Sequence, residues 1–139
     1  MRFMILVKAS PESEAGTLPS YEELAEMGRF NEELVKAGVM LAGEGLHPTS
    51  AGKRVRFDGA GRTVIDGPFA ETKELLAGFW LIQVKSPEEA VEWVKRIPFK
   101  EGEVEIRRVF ESEDFAPSDP GGELLAAEER LRAQVAAQG

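Results

Sequence analysis

The sequence predicts an α+β domain built as β-α-β, hairpin, β-α-β, with two main helices on one side of an antiparallel sheet. Three observations predict it. Segments Arg2–Lys8 and 76–85 are apolar on both faces, as central strands are. A capped amphipathic stretch follows each of them, opening at Ser20 and at Ser86. Between the two halves lie two short charged segments around Gly59-Ala60-Gly61, the pattern of a hairpin.

In the first strand, Phe3, Ile5 and Val7 share one face and Met4 and Leu6 the other. Residues 11–18 read as loop from their Pro, Ser and Gly content. Ser20-Tyr21-Glu22-Glu23 is a capping box: the Ser20 hydroxyl accepts from the Glu23 amide while the Glu23 side chain reaches back. Leu24, Met27, Asn31, Leu34 and Val35, broadened by Phe30, predict the buried stripe of this helix, and Gly38 its left-handed C-terminal cap. Residues 39–46 read as a second strand carrying Gly43 and Gly45, and Lys53–Asp58 with 62–66 as the hairpin. The second helix opens on Ser86-Pro87-Glu88-Glu89, with Ala90, Trp93, Val94 and Ile97 as its buried stripe and Pro98 closing it. Residues 103–110 form the last strand.

With segments Arg2–Lys8 and 76–85 in the middle, this order is ferredoxin-like. Helices then cover one sheet face, and Met4, Leu6 and one face of the 76–85 strand point away from them. Apolar patches of that kind mark an interface or a ligand groove, so a second copy packed sheet to sheet, with a pocket between, is expected. Residues 1–111 form this domain. Residues 112–139 begin with an acidic, Pro- and Gly-rich linker and end in a helix over 123–138 with Leu124, Leu131 and Val135 as a thin apolar stripe.

Composition narrows the function classes. The 139-residue chain has a net charge of −8, which repels phosphodiester backbones and argues against nucleic acid. Its densest basic run, Lys53-Arg54-Val55-Arg56, reads as a solvated strand edge. No run is long enough to span a bilayer, and the early apolar run, residues 3–7, reads as strand rather than signal peptide. The absence of cysteine removes thiol nucleophiles and thiolate metal sites and fits a reducing cytoplasm. With one histidine and no acidic metal loop, neither a metal site nor a cofactor is expected. Neither a phosphate loop nor a Gly-x-Ser-x-Gly elbow is present.

The chemistry-bearing stretch is Asp66-Gly67-Pro68-Phe69-Ala70-Glu71-Thr72-Lys73-Glu74. Gly-Pro after a strand forces a turn, and Asp66 is placed to act as a general base with Lys73 setting its charge. The alternative is an Asx turn with solvated charges. Glu44 shares a strand face with Ala42 and Leu46, so desolvation would raise its pKa unless it is paired, with Arg107 as one partner; the alternative is an edge-strand glutamate facing water. His47, the sole imidazole, is a proton-relay candidate or an idle loop histidine.

That stretch, followed by Ala77-Gly78-Phe79-Trp80-Leu81-Ile82, resembles the signature of the DGPF branch of the YCII-related family. Gly43-Glu44-Gly45-Leu46-His47-Pro48 resembles its glycine-rich second strand, and Ile97-Pro98 and Val104-Glu105-Ile106-Arg107 resemble its closing segments. The resemblance covers about residues 1–110 and implies a dimeric α/β-barrel. In a related branch a His–Asp pair is thought to serve a dehydrochlorinase or hydrolase-like reaction. Asp66 matches the aspartate, whereas the histidine position falls near Met27. Some bacterial relatives are encoded beside, or fused to, extracytoplasmic-function sigma factors.

Two functions follow as expectations. The first is cofactor-free conversion or binding of a small molecule, by lyase, isomerase or dehydrochlorinase-like proton transfer, in a pocket on the open sheet face of a homodimer. Asp66, Glu44 and His47 would be its acid/base groups, and Gly67, Pro68, Phe69, Lys73 and Arg107 its substrate contacts. The second is a non-catalytic module that uses the tail helix to hold a sigma-factor partner.

Overall fold

The computed structural model describes every residue except Glu71, and of Thr72 only the backbone. The first compact unit, Met1–Arg108, contains β1 (Arg2–Lys8), α1 (Pro11–Glu14), α2 (Tyr21–Lys36), β2 (Met40–Gly45), β3 (Lys53–Asp58), β4 (Gly61–Asp66), β5 (Leu76–Gln83), α3 (Pro87–Lys95) and β6 (Val104–Arg108). Four strands form one sheet in the order β2-β5-β1-β6, antiparallel throughout, and β3 and β4 form a separate two-stranded ribbon. The two strands that are apolar on both faces occupy the centre, so the ferredoxin-like α+β expectation holds.

Register sorts the side chains. Phe3 lies opposite Ile82 and Ile5 opposite Trp80, and these four pack with Phe30, Leu34 and Ala90 in one buried cluster. Ile5, Leu34 and Ile82 are less than 2 % exposed. Truncating any of them to alanine would cost about 2–5 kcal/mol through lost transfer energy and a residual cavity. Met4 lies opposite Leu81 and Leu6 opposite Phe79, on the face turned away from that cluster, and all four are half-buried.

Local chemistry explains the helix ends and several departures from expectation. The Ser20 capping box forms as predicted, and α2 stops at Gly38, whose φ of 70° is the left-handed conformation that glycine adopts without strain. Its buried face is rotated from the predicted stripe: Phe30 and Leu34 are buried, while Leu24 and Val35 are exposed. The predicted loop at 11–18 contains the one-turn α1, because Ser10 and Ser13 cap each other's amides and Pro11 begins the turn. At α3 the Ser86 hydroxyl accepts from the Glu89 amide, but the Glu89 carboxylate takes the Lys85 amide instead of completing a box.

The second compact unit, Val109–Gly139, holds a 3-10 stretch over Ser112–Ser118 and α4 (Glu123–Gln138). The segment read as linker is thus partly structured. The Asp114 carboxylate accepts from the Glu111 amide, and the Phe110 and Phe115 rings lie 4.8 Å apart. Leu124, Leu131 and Val135 of α4 are exposed.

Candidate functional site

A mostly apolar cleft of about 290 Å³ lies on the helix-covered side of the sheet. It exists because side chains are missing from its floor. Gly45 of β2 lies opposite Gly78 of β5, and Gly78 lies opposite Val7 of β1, so two adjacent sheet positions present only backbone. Met27 and Asn31 of α2 wall one side, and Trp80 and Phe99 close the apolar lining. A Cβ at Gly45 would meet no atom within 4 Å, which fits a position fronting open space. At Gly78 a Cβ would fall 2.8 Å from the Glu44 carbonyl, so close strand approach demands glycine there.

One polar contact organises the wall. Trp80 Nε1–H donates to Asn31 Oδ1 at 2.9 Å, and the indole is itself held edge-on against Phe30, ring centroids 5.6 Å apart. Indole can only donate, so the Asn31 oxygen must face it. The Asn31 amide nitrogen is therefore turned away from Trp80 with two N–H donors.

The candidate residues named by sequence fall elsewhere. Asp66, the general-base candidate, ends β4 with its side chain 74% exposed and its carboxylate 2.6 Å from Lys53 Nζ. The salt bridge and water solvate it as they would any surface carboxylate. Glu44 is exposed and lines the cleft's rim, and its position opposite Phe79 aims its side chain toward the open sheet face. Arg107 bonds Glu105 at 3.2 Å, not Glu44, because β2 and β6 are opposite edges of the sheet. His47 is exposed in the loop after β2, and Lys73 in a 3-10 turn over Thr72–Glu74; Glu71 lies outside the described residues. Among the described residues no hydrogen bond or ion pair joins Asp66, Glu44 and His47 to one another.

Gly67, Pro68 and Phe69 make an architectural contact that sequence reading missed. The Thr49 amide and hydroxyl donate to the two Glu14 carboxylate oxygens at 3.1 and 2.6 Å, and the Thr49 oxygen accepts from the Phe69 amide at 3.1 Å. Gly67 N–H donates to the Gly52 carbonyl at 3.0 Å, and the Gly67–Pro68 peptide bond that follows is cis. A Cβ on Gly67 would fall 1.7 Å from the Thr49 carbonyl oxygen, so the backbones touch where only glycine fits. The Arg54 guanidinium covers the Phe69 ring at 3.9 Å. The motif thus ties the end of β4 to the Thr49–Ala51 turn and to α1.

On the open sheet face, Lys8 lies 3.3 Å from Glu105, with Arg107 on the other carboxylate oxygen. The hydrogen bond from Lys8, then that from Arg107, holds the Glu105 carboxyl below its ordinary value of 4.5. Among the described residues no cluster of three His, Cys, Asp or Glu could hold a metal ion, and no helix is long and apolar enough to cross a membrane.

Comparison with known proteins places the chain in a family. An uncharacterized protein of Rhizobium meliloti (strain 1021) is 36% identical over 72 residues, 52% of this chain. The match spans 58% of that relative's length. Among solved structures, 5-chloro-2-hydroxyhydroquinone dehydrochlorinase (TftG) from Burkholderia phenoliruptrix AC1100, in complex with 2,5-dihydroxybenzoquinone, is similar at a TM-score of 0.43 and 15% identity. That similarity covers 82% of this chain and 98% of the other. The YCII-related domain matches residues 1–113, and the chain belongs to the YCII-related family.

Proposed function

We propose that this protein binds a small, largely apolar molecule in the cleft between α2 and the glycine-floored end of β2 and β5. The observation that carries the reading is the Asn31–Trp80 hydrogen bond. It fixes a hydrogen-bond donor on an otherwise apolar wall, the combination that orients a ligand through one acceptor while its body is desolvated. A neutral ring bearing a carbonyl or hydroxyl oxygen suits that lining. On this reading the ligand lies on the helix side of the sheet, whereas the sequence led to the expectation of a pocket between two sheets.

Glu44 is the carboxylate-bearing residue among those lining the cleft, but its side chain is directed to the open sheet face, so the reading is one of binding.

The test of binding uses Gly45→Leu, whose Cβ would meet no atom within 4 Å and whose longer side chain is introduced to occupy the cleft. A panel of neutral oxygen-bearing aromatic compounds is screened by ligand-observed NMR against both proteins. The reading expects hits on the parent that vanish with Gly45→Leu. Hits that survive the substitution unchanged would place the ligand elsewhere.

The open sheet face supports a second part of the reading, a homodimer. Met4, Leu6, Phe79 and Leu81 form its centre, with Glu44 toward one edge and Arg107 toward the other. A two-fold axis parallel to the strands swaps the edges, so the β2 edge of one copy would lie over the β6 edge of its partner across an apolar middle.

A further inference from the structure

The β3–β4 ribbon is a two-stranded sheet on its own, with all of β3 and all but Ile65 of β4 exposed. Such a hairpin is marginal in water unless a third strand or a packed surface covers one face. Cross-strand pairing gives it two unlike faces. One carries Arg54, Arg56, Thr63 and Ile65, with Arg54 seated on Phe69. The other pairs Lys53 with Asp66, Val55 with Val64, and Phe57 with Arg62.

This second face is an apolar centre bounded by charge. Val55, Phe57 and Val64 are 48%, 69% and 60% exposed. The Lys53–Asp66 ion pair closes one end, and the Arg62 guanidinium, 4.6 Å over the Phe57 ring, closes the other. We propose that this face docks on the same face of a second copy of the chain. A two-fold axis crossing the strands at the Val55–Val64 pair stacks the apolar centres and reverses the strand direction. The exposed Asp66 carboxylate of one copy then meets the partner's Arg62, and the reverse at the other end. The face is self-complementary in charge, which an isologous contact requires.

The contact is independent of the cleft and of the open sheet face. Should both two-fold surfaces form, the assembly is a dimer of dimers. Three apolar side chains per copy fall short of the roughly 800 Å² per partner of a standard interface, so the contact is concentration-dependent.

The test exploits the absence of cysteine. Val64→Cys and Thr63→Cys place single thiols on opposite faces of β4 at exposed positions. Under mild oxidation Val64→Cys is expected to give a disulfide-linked dimer in high yield, and Thr63→Cys little. Phe57→Glu combined with Val64→Cys should suppress the product several-fold, whereas Leu6→Arg combined with Val64→Cys should leave it unchanged. Circular dichroism confirms that each variant folds. Equal cross-linking at the two positions, none at either, or insensitivity to Phe57→Glu would overturn the proposal. Loss of the product with Leu6→Arg would instead assign it to the sheet-face dimer.

Discussion

Trp80 and Asn31, 49 positions apart in the chain, share a hydrogen bond that spans the gap between the central strand β5 and helix α2. The contact would couple stability to the proposed binding, because the same amide that satisfies the indole also presents its N–H groups away from it. Asn31→Leu leaves the half-buried indole N–H without a partner and should lower unfolding free energy by about 1–3 kcal/mol. Asn31→Asp keeps the acceptor and removes the donor, so it should hold stability better while weakening cleft ligands about tenfold. Urea denaturation and ligand titration of the two variants check the pair of outcomes.

The Gly67 contact makes a sharper demand than the cleft's own glycines. At Gly43 a Cβ would meet Met40 Cε at 2.7 Å and Trp80 Cδ1 at 2.8 Å, and the methionine end can swing aside. At Gly67 the obstacle is the Thr49 backbone, which cannot. Gly43→Ala should therefore cost about 1–3 kcal/mol, the range for overpacking. Gly67→Ala should cost more and release the Thr49–Ala51 turn. Amide exchange at Phe69, whose N–H is held by Thr49, would report that release; a protected Phe69 amide in Gly67→Ala would refute it.

How far the sequence discloses such contacts depends on their range. Periodicity and capping boxes place every main strand and helix, because they act over one or two turns of chain. The Glu14–Thr49–Phe69 clip joins residues 35 and 20 positions apart, and no local pattern marks it. The cleft was hidden for another reason. It is made by absent side chains at Gly45 and Gly78, which coincide only once the β2–β5 register is known. In the sequence, Gly43 and Gly45 merely weaken a strand. Asp66 stands out because a Gly-Pro turn follows it, and the structure uses that turn for chain packing.

Acid should weaken the open face in a defined direction. Lys8 and Arg107 hold the Glu105 carboxyl below its ordinary 4.5, so its contribution to stability is complete above that pH. The contribution is lost as pH falls through the depressed folded value. Glu105→Gln lacks it at every pH. The parent should therefore be the more stable protein near neutrality, and the two should converge in acid. A constant gap in urea midpoint across the whole range would refute the assignment.

Residues Val109–Gly139 form a compact unit with their own contacts, among them the Asp119 carboxylate on the Leu125 amide. Every buried hydrophobic residue of the core cluster lies within 3–97. Deleting residues 112–139 should accordingly leave the sheet and α2 folded, with a cooperative urea transition. Loss of cooperativity would show that the first unit needs the second.

The last prediction concerns what covers the open sheet face. Met4, Leu6, Phe79 and Leu81 stand on the two central strands, so any surface that packs against this face must meet them. They are half-buried within one copy, and a second copy would remove their remaining area from water at about 25 cal/mol per Å². Leu6→Arg puts a guanidinium in the middle of that contact, between Phe79 on β5 and Glu105 on β6. Within a single copy the new charge can extend into water beside Glu105, so folding should change little. In a dimer with the apolar centres stacked, two such charges related by the axis would face each other without solvent, costing several kcal/mol. Sedimentation equilibrium should then find the parent dimeric and Leu6→Arg monomeric at the same concentration, with matching circular dichroism. A folded Leu6→Arg variant that remains as dimeric as the parent would show that copies associate, if at all, through another surface.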